Sequence, residues 1–194
     1  MSETRTRPQH ARHAGGAAVL VIGWGNPGRG DDALGALLVD RLEQESRGRP
    51  DWAHHRFMTD FQLQPEHALD FGDAAQLLFV DTSVSVPEPC ALARVQPAQD
   101  ASFTTHALSP QALLAVHAQL DGAPPPPAWL LGVRGEDFTL GAPLSPGAKA
   151  RLARATQLAR ALLSYPTAAY WDRAATSGSS ATAAQAAVAP GCTS

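Results

Sequence analysis

The chain has 194 residues, 44% of them hydrophobic, which suits one ordinary domain with a sizeable core. Its 15 Lys and Arg against 18 Asp and Glu leave it near neutral without a long basic run, which argues against nucleic acid or an anionic membrane surface as a partner. Cys90 and Cys192 are too few and too far apart for a disulfide framework or a Cys-rich zinc site, and no apolar run reaches the roughly 20 residues of a membrane span, so a cytoplasmic protein is expected.

Residues 1–16 show no hydrophobic period and read as a disordered leader. Ala17 to Trp24 is apolar on both faces, as a central parallel strand is when helices cover both sides. A glycine-rich turn follows, Gly25 to Asp32, and then Leu34, Leu37, Leu38 and Leu42 recur at the spacing of one helical face, with Gly48 and Pro50 ending the helix. A second strand is expected over His55 to Phe61 and a short helix over Pro65 to Phe71. The apolar run Leu77 to Val80 is a buried strand that stops on Asp81, and Ala91 to Val95 suits an edge strand because Pro87 and Pro89 precede it. Ser109-Pro110 and Ser145-Pro146 read as helix starts, an N-cap followed by proline at the first helical position. Between those helices Trp129 to Val133 is another core strand. The second helix is expected to run from Gly147 to Tyr165, with Arg151, Arg154 and Arg160 outside. Residues 167–194 are dominated by Ala, Ser, Thr and Gln and read as a low-complexity, disordered tail.

Strands alternating with helices imply a mainly parallel sheet with helices on both faces, and ligands of such sheets bind beyond the carboxyl ends of the strands where strand order reverses. Asp32 follows the first strand, Asp81 ends the third, and His106 precedes the next helix, so all three are candidates for one crevice. Gly23, Gly25 and Gly28 have the spacing of a dinucleotide fingerprint, but no acidic residue stands about 20 positions on at the end of the next strand, and Asp31 and Asp32 would face the phosphates. A phosphate loop fails on the same charges. Two carboxylates and an imidazole with a position left open describe instead a site for a borderline divalent ion such as zinc or nickel. His10, His13, His54, His55, His67 and His117 have no comparable context and are expected to be surface or packing residues.

The series Gly23-x-Gly25-Asn26, Gly30-Asp31-Asp32-x-x-Gly35, a strand ending in Asp81, and Thr104-Thr105-His106 resembles the nickel-iron hydrogenase maturation endopeptidases over residues 19–163. The resemblance implies an α/β, single-domain, three-layer fold with a twisted, mainly parallel sheet between helices, of phosphorylase/hydrolase-like type, over residues 17–166. It implies that Asp32, Asp81 and His106 are metal ligands, with Asp31 and Asp60 in support. It also implies that nickel arrives inside the substrate, with zinc or cadmium as surrogates. The implied activity is removal of the C-terminal extension of a nickel-loaded hydrogenase large-subunit precursor by a monomeric enzyme. One departure stands out: the family often has Asp-Gly-Gly after the second strand, whereas here Asp60 precedes Phe61-Gln62. The alternatives are a module that binds the nickel-loaded precursor without cutting it and a dinucleotide-dependent oxidoreductase.

Overall fold

The computed structural model describes residues 19–98 and 108–186, the last nine of these by backbone alone. Five strands, β1 (Val19–Trp24), β2 (Arg56–Asp60), β3 (Gln76–Ser83), β4 (Cys90–Val95) and β5 (Ala128–Arg134), form one sheet in the order β2-β1-β3-β5-β4. All pairings are parallel except that of β4 with β5. The chain leaves β1 to one side for β2 and returns on the other side for β3, so the strand order reverses at β1. The proline-flanked β4 occupies an edge, where a residue without an N–H is tolerated.

Side chains alternate across this sheet and feed two cores. Val19, Val21, Leu78, Val80, Leu131 and Val133 face one layer, made by α1 (Leu34–Ser46), α3 (Ala148–Ser164) and α4 (Ala168–Ala186). Leu20, Ile22, Trp24, Leu77 and Phe79 face the other, made by the 3-10 segment Pro65–Phe71 and α2 (Pro110–Asp121). Burial on both faces explains why β1 and β3 read as continuous apolar runs rather than alternating ones. Ser109 caps α2 as its sequence predicts, its hydroxyl accepting from Ala112 N at 3.1 Å. On α1 the buried stripe is Leu34, Leu38 and Leu42 with Gly35 and Val39 beside it, and Leu37, expected in the stripe, is exposed on its far flank.

Two expectations are corrected. Residues 167–177 are not the beginning of a featureless tail: a new helix starts at Ala168, just after the Pro166 that closes α3, and its Trp171 is wholly buried. Its ring meets Trp129 edge-on at 4.9 Å between centroids, and its Nε1 donates to Leu162 O. Asp172 beside it accepts from Trp129 Nε1 and pairs with Arg94, fastening α4 to the edge strand β4. A single large aromatic outweighs the small polar residues around it because burial energy scales with apolar area. Arg151 is the second correction. It lies within the protein, paired with Glu88 and Glu136, because those carboxylates in two separate loops supply the partners a buried guanidinium requires.

Trp171→Ala removes the anchor of α4, and the expected loss is about 3–5 kcal/mol of unfolding free energy, read as a lower urea midpoint.

Candidate metal and active site

The carboxyl ends of β2, β1 and β3 form one rim. Trp24 pairs with Asp60 in register, and Gly23 pairs with Val80, so Asp60, Trp24 and Asp81 occupy one row across three strands. Adjacent strands are about 4.8 Å apart, which puts the Asp60 and Asp81 backbones about 10 Å apart on either side of Trp24. Residues in one row point to the same face, here that of Trp24 and Phe79, which α2 covers. His106 lies just before α2 in sequence but outside the described residues, as do Thr104 and Thr105.

Asp32 reaches this rim from the turn after β1. The turn is tight: Gly25 has φ +142, and a Cβ there would stand 1.9 Å from Asp32 O. Glycine alone tolerates that conformation and approach. Its next residue, Asn26, donates its N–H to Asp32 Oδ2 at 2.9 Å. An amide that a phosphate-binding turn would aim at its ligand is thus taken by the chain's own carboxylate. That bond and its negative charge speak against the dinucleotide alternative. Gly35 then lets α1 settle onto the strands, since a Cβ there would lie 2.5 Å from Trp24 O and 2.8 Å from Val80 O.

The two adjacent acids of the turn have opposite environments. Asp32 is half-buried, whereas Asp31 has no exposed surface. Asp31 accepts from Glu136 N at 2.8 Å, from Ser145 N at 2.8 Å and from Ser145 Oγ at 2.7 Å. Burial pushes its pKa up, but the hydrogen bonds from Ser145, Glu136 and Asp137 outweigh burial and hold it below the ordinary value. Asp31 was expected to orient a group or move a proton at the site; it is instead the latch that clasps the 136–145 loop. Further bonds complete the clasp, among them Asp31 N to Asp137 O and Gly141 N to Gly28 O.

Asp81 behaves in the opposite way. Burial raises its pKa to about 6; the N–H of Thr82 works against that rise and the charge of Asp32 adds to it. Among the described residues no cation enters this balance, so the two carboxylates repel one another at the rim. Their oxygen donors fit a divalent cation, which would relieve both charges at once. Among the described residues no three His, Cys, Asp or Glu side chains are gathered to hold a metal unaided, so Asp32 and Asp81 could supply two donors of a larger set.

Asp60, at the end of β2, has a partner that sequence reasoning passed over. His67 Nε2 lies 3.2 Å from Asp60 Oδ2, and the backbone carbonyl of Asp60 accepts from Gly25 N at 3.1 Å. The seven-residue separation of the two side chains was visible, but only the return of the Pro65–Phe71 turn over β2 brings them together. His55 and His117, in contrast, are packing residues, as expected: His55 bridges Val19 N and Leu163 O, and His117 bonds Ala68 O.

No family model matches the chain, and no curated protein does. Solved structures do. The [NiFe] hydrogenase maturation protease HycI from Thermococcus kodakarensis KOD1 superposes with a TM-score of 0.60 at 20% identity, over 77% of this chain and 94% of that one. The hydrogenase maturating endopeptidase HybD from E. coli gives 0.55 at 25% identity, over 75% and 91%. The hydrogenase 2 maturation peptidase from Thaumarchaeota archaeon SCGC_AB-539-E09 gives 0.52 at 24%, over 75% and 97%. Their fold is the fold of this chain. No helix among the described residues is long and apolar enough to cross a membrane.

The two neighbouring sites respond oppositely to neutralisation. Asp31→Asn leaves buried N–H donors facing an amide, and the expected loss is at least about 3 kcal/mol of stability. Asp81→Asn relieves a partly buried, repelled charge, and the expected gain at pH 7 is at most on the order of 2 to 3 kcal/mol. The sign follows from the raised pKa: above about 6 Asp81 is charged in folded and unfolded chains alike and only the folded chain is penalised. Below about 6 the folded protein takes up the proton first, so the advantage of Asp81→Asn closes as pH falls towards the ordinary carboxylate value of about 4. Urea titrations of both variants at pH 4.5 and 7 measure these differences, and an Asp81→Asn variant less stable than wild type at pH 7 would contradict the balance described.

Proposed function

We propose that this protein is an endopeptidase that removes the C-terminal extension of a nickel-loaded [NiFe] hydrogenase large-subunit precursor. The observation that supports this reading most directly is the pair of mutually repelling carboxylates, Asp32 and Asp81, which have no cation beside them among the described residues, at the point where strand order reverses. The likeness of fold to maturation proteases supports the same conclusion.

In this reading the nickel belongs to the substrate. The precursor presents it at the rim, where Asp32, Asp81 and His106 complete its coordination and so seat the extension beside Asp60. Bound nickel supplies Lewis acidity towards the scissile carbonyl or a water. The protein's own residues do the rest. Asp81 must be ionised to bind, which ties recognition to displacement of a proton from a carboxyl whose pKa is about 6. Asp60, solvent-reaching and fixed to both β1 and the following turn, is the group placed to orient the attacking water or accept its proton. Asp31 acts at one remove, by holding the turn that aims Asp32. Zinc or cadmium would substitute in binding because the donors are mixed oxygen and nitrogen.

Incubation of the protein with nickel-loaded and nickel-free precursor, followed by mass spectrometry of the precursor C-terminus, is the direct test. The expected result is shortening of the nickel-loaded form alone. Equal shortening of both would reject nickel as the recognition signal, and retention of the extension in a stable complex would favour the non-cleaving binder. His106→Ala and Asp32→Asn should each abolish cleavage while leaving the urea midpoint close to wild type.

A further inference from the structure

We propose that His67 is the positioning residue of the site: its imidazole holds the Asp60 carboxylate in the orientation from which it serves the scissile peptide. This rests on the proposed endopeptidase reading and extends it to a histidine whose sequence context gave no sign of a role.

The hydrogen-bond pattern determines which nitrogen bears the proton. Gln64 N donates to His67 Nδ1 at 3.1 Å, so Nδ1 is the acceptor and the proton of the neutral ring sits on Nε2. That N–H points at Asp60 Oδ2, 3.2 Å away. Phe61 N donates to the other oxygen, Oδ1, at 2.6 Å. Each carboxylate oxygen thus has one fixed donor and keeps a further acceptor direction for solvent or substrate. The His67 side chain is 11% exposed and that of Asp60 38%, so the imidazole is the enclosed support and the carboxylate the group that reaches solvent. The support is itself anchored. His67 stands at the third position of the Pro65–Phe71 turn and takes part in a reciprocal cap with Gln64. Asp60 in turn holds Gly25 through its backbone carbonyl, so the dyad is continuous with the turn that bears Asp32. A second group orienting a catalytic carboxylate is worth having because small misplacements of a reacting group reduce turnover steeply.

His67 has two jobs, capping through Nδ1 and positioning through Nε2, and two amide replacements separate them. Asparagine places an acceptor near Nδ1 and nothing near Nε2; glutamine places a donor near Nε2 and nothing near Nδ1. His67→Asn should therefore keep the wild-type melting temperature yet lose between about tenfold and a hundredfold in kcat, with KM little changed. His67→Gln should melt lower yet recover most of that kcat. A merely structural histidine gives the reverse order, and that order, or wild-type kcat in His67→Asn, overturns the proposal. A second measurement does not need cleavage: 15N NMR of the imidazole in the full chain, with and without Asp60→Asn. The expected spectrum is an Nε2–H tautomer whose proton resonance moves when Asp60 is replaced. An Nδ1–H tautomer, or a resonance indifferent to Asp60, rejects the dyad even if the precursor is cut. If the dyad is seen and wild-type protein does not cut, the endopeptidase reading fails on its own, and positioning for that reaction fails with it.

Discussion

A sealed carboxylate organises this molecule. Asp31 is wholly buried and ionised, a state that is tolerable only where the surrounding structure replaces the lost water with donors. Those donors come from Glu136 and Ser145, more than a hundred residues further along the chain. The consequence is mutual. The 136–145 loop is fixed against the turn after β1, and that turn is fixed against the loop. Arg151 extends the same clasp, joining Glu136 to Glu88 in the loop before β4. A buried ion group of this kind contributes little net stability, but any broken member leaves an unpaired charge inside. It specifies one geometry for the rim more than it strengthens the fold.

That geometry serves the two acids that repel one another. Asp32 and Asp81 are held near one another beyond strands whose own packing is continuous and apolar, and the folded chain bears the resulting repulsion and desolvation. Strain of this sort persists only where the rest of the structure outweighs it. The difference between Asp31 and Asp81 is therefore one of provision. Both are withdrawn from water, but the chain surrounds the first with N–H and O–H donors, whereas the second meets, among the described residues, one N–H and a like charge. The proposed ligand, a divalent ion brought by the substrate, is the partner the second arrangement lacks.

The sheet was legible in the sequence because β1, β3 and β5 are long apolar runs with unmistakable ends, and Ser109-Pro110 marks a helix start by a local rule. Asp32 and Asp81 were legible for a topological reason: the turn after one strand and the last residues of its neighbour meet at a reversal of strand order whatever the side chains between them. What was not legible depended on distant partners. Which of two adjacent acids is sealed cannot be read from Asp31-Asp32 itself, since Ser145 decides it. Arg151 looked like a solvent-facing helix residue because Glu88 and Glu136 are far from it in sequence. Trp171 was masked by the small polar residues that follow it, and composition averaged over a window conceals one anchor. His67 was hidden because the contact with Asp60 needs the chain to turn back over β2.

The glycine-rich turn shows how the same backbone device can serve opposite charges. Glycines after a parallel strand free the amides and open the helix entrance, and the usual use of that space is to receive an anion. Here Asn26 N donates to Asp32 instead, so the chain's own carboxylate occupies the anion's place. The bond that excludes a phosphate also fixes one oxygen of Asp32, the acid whose charge adds to the raised pKa of Asp81. A turn with the geometry of an anion receptor is thereby converted into a carboxylate holder, and its local electrostatic preference changes from anion to cation. The conversion needs only that the acid at the turn's end be short enough to fold back onto its amide, a condition the aspartate at position 32 meets.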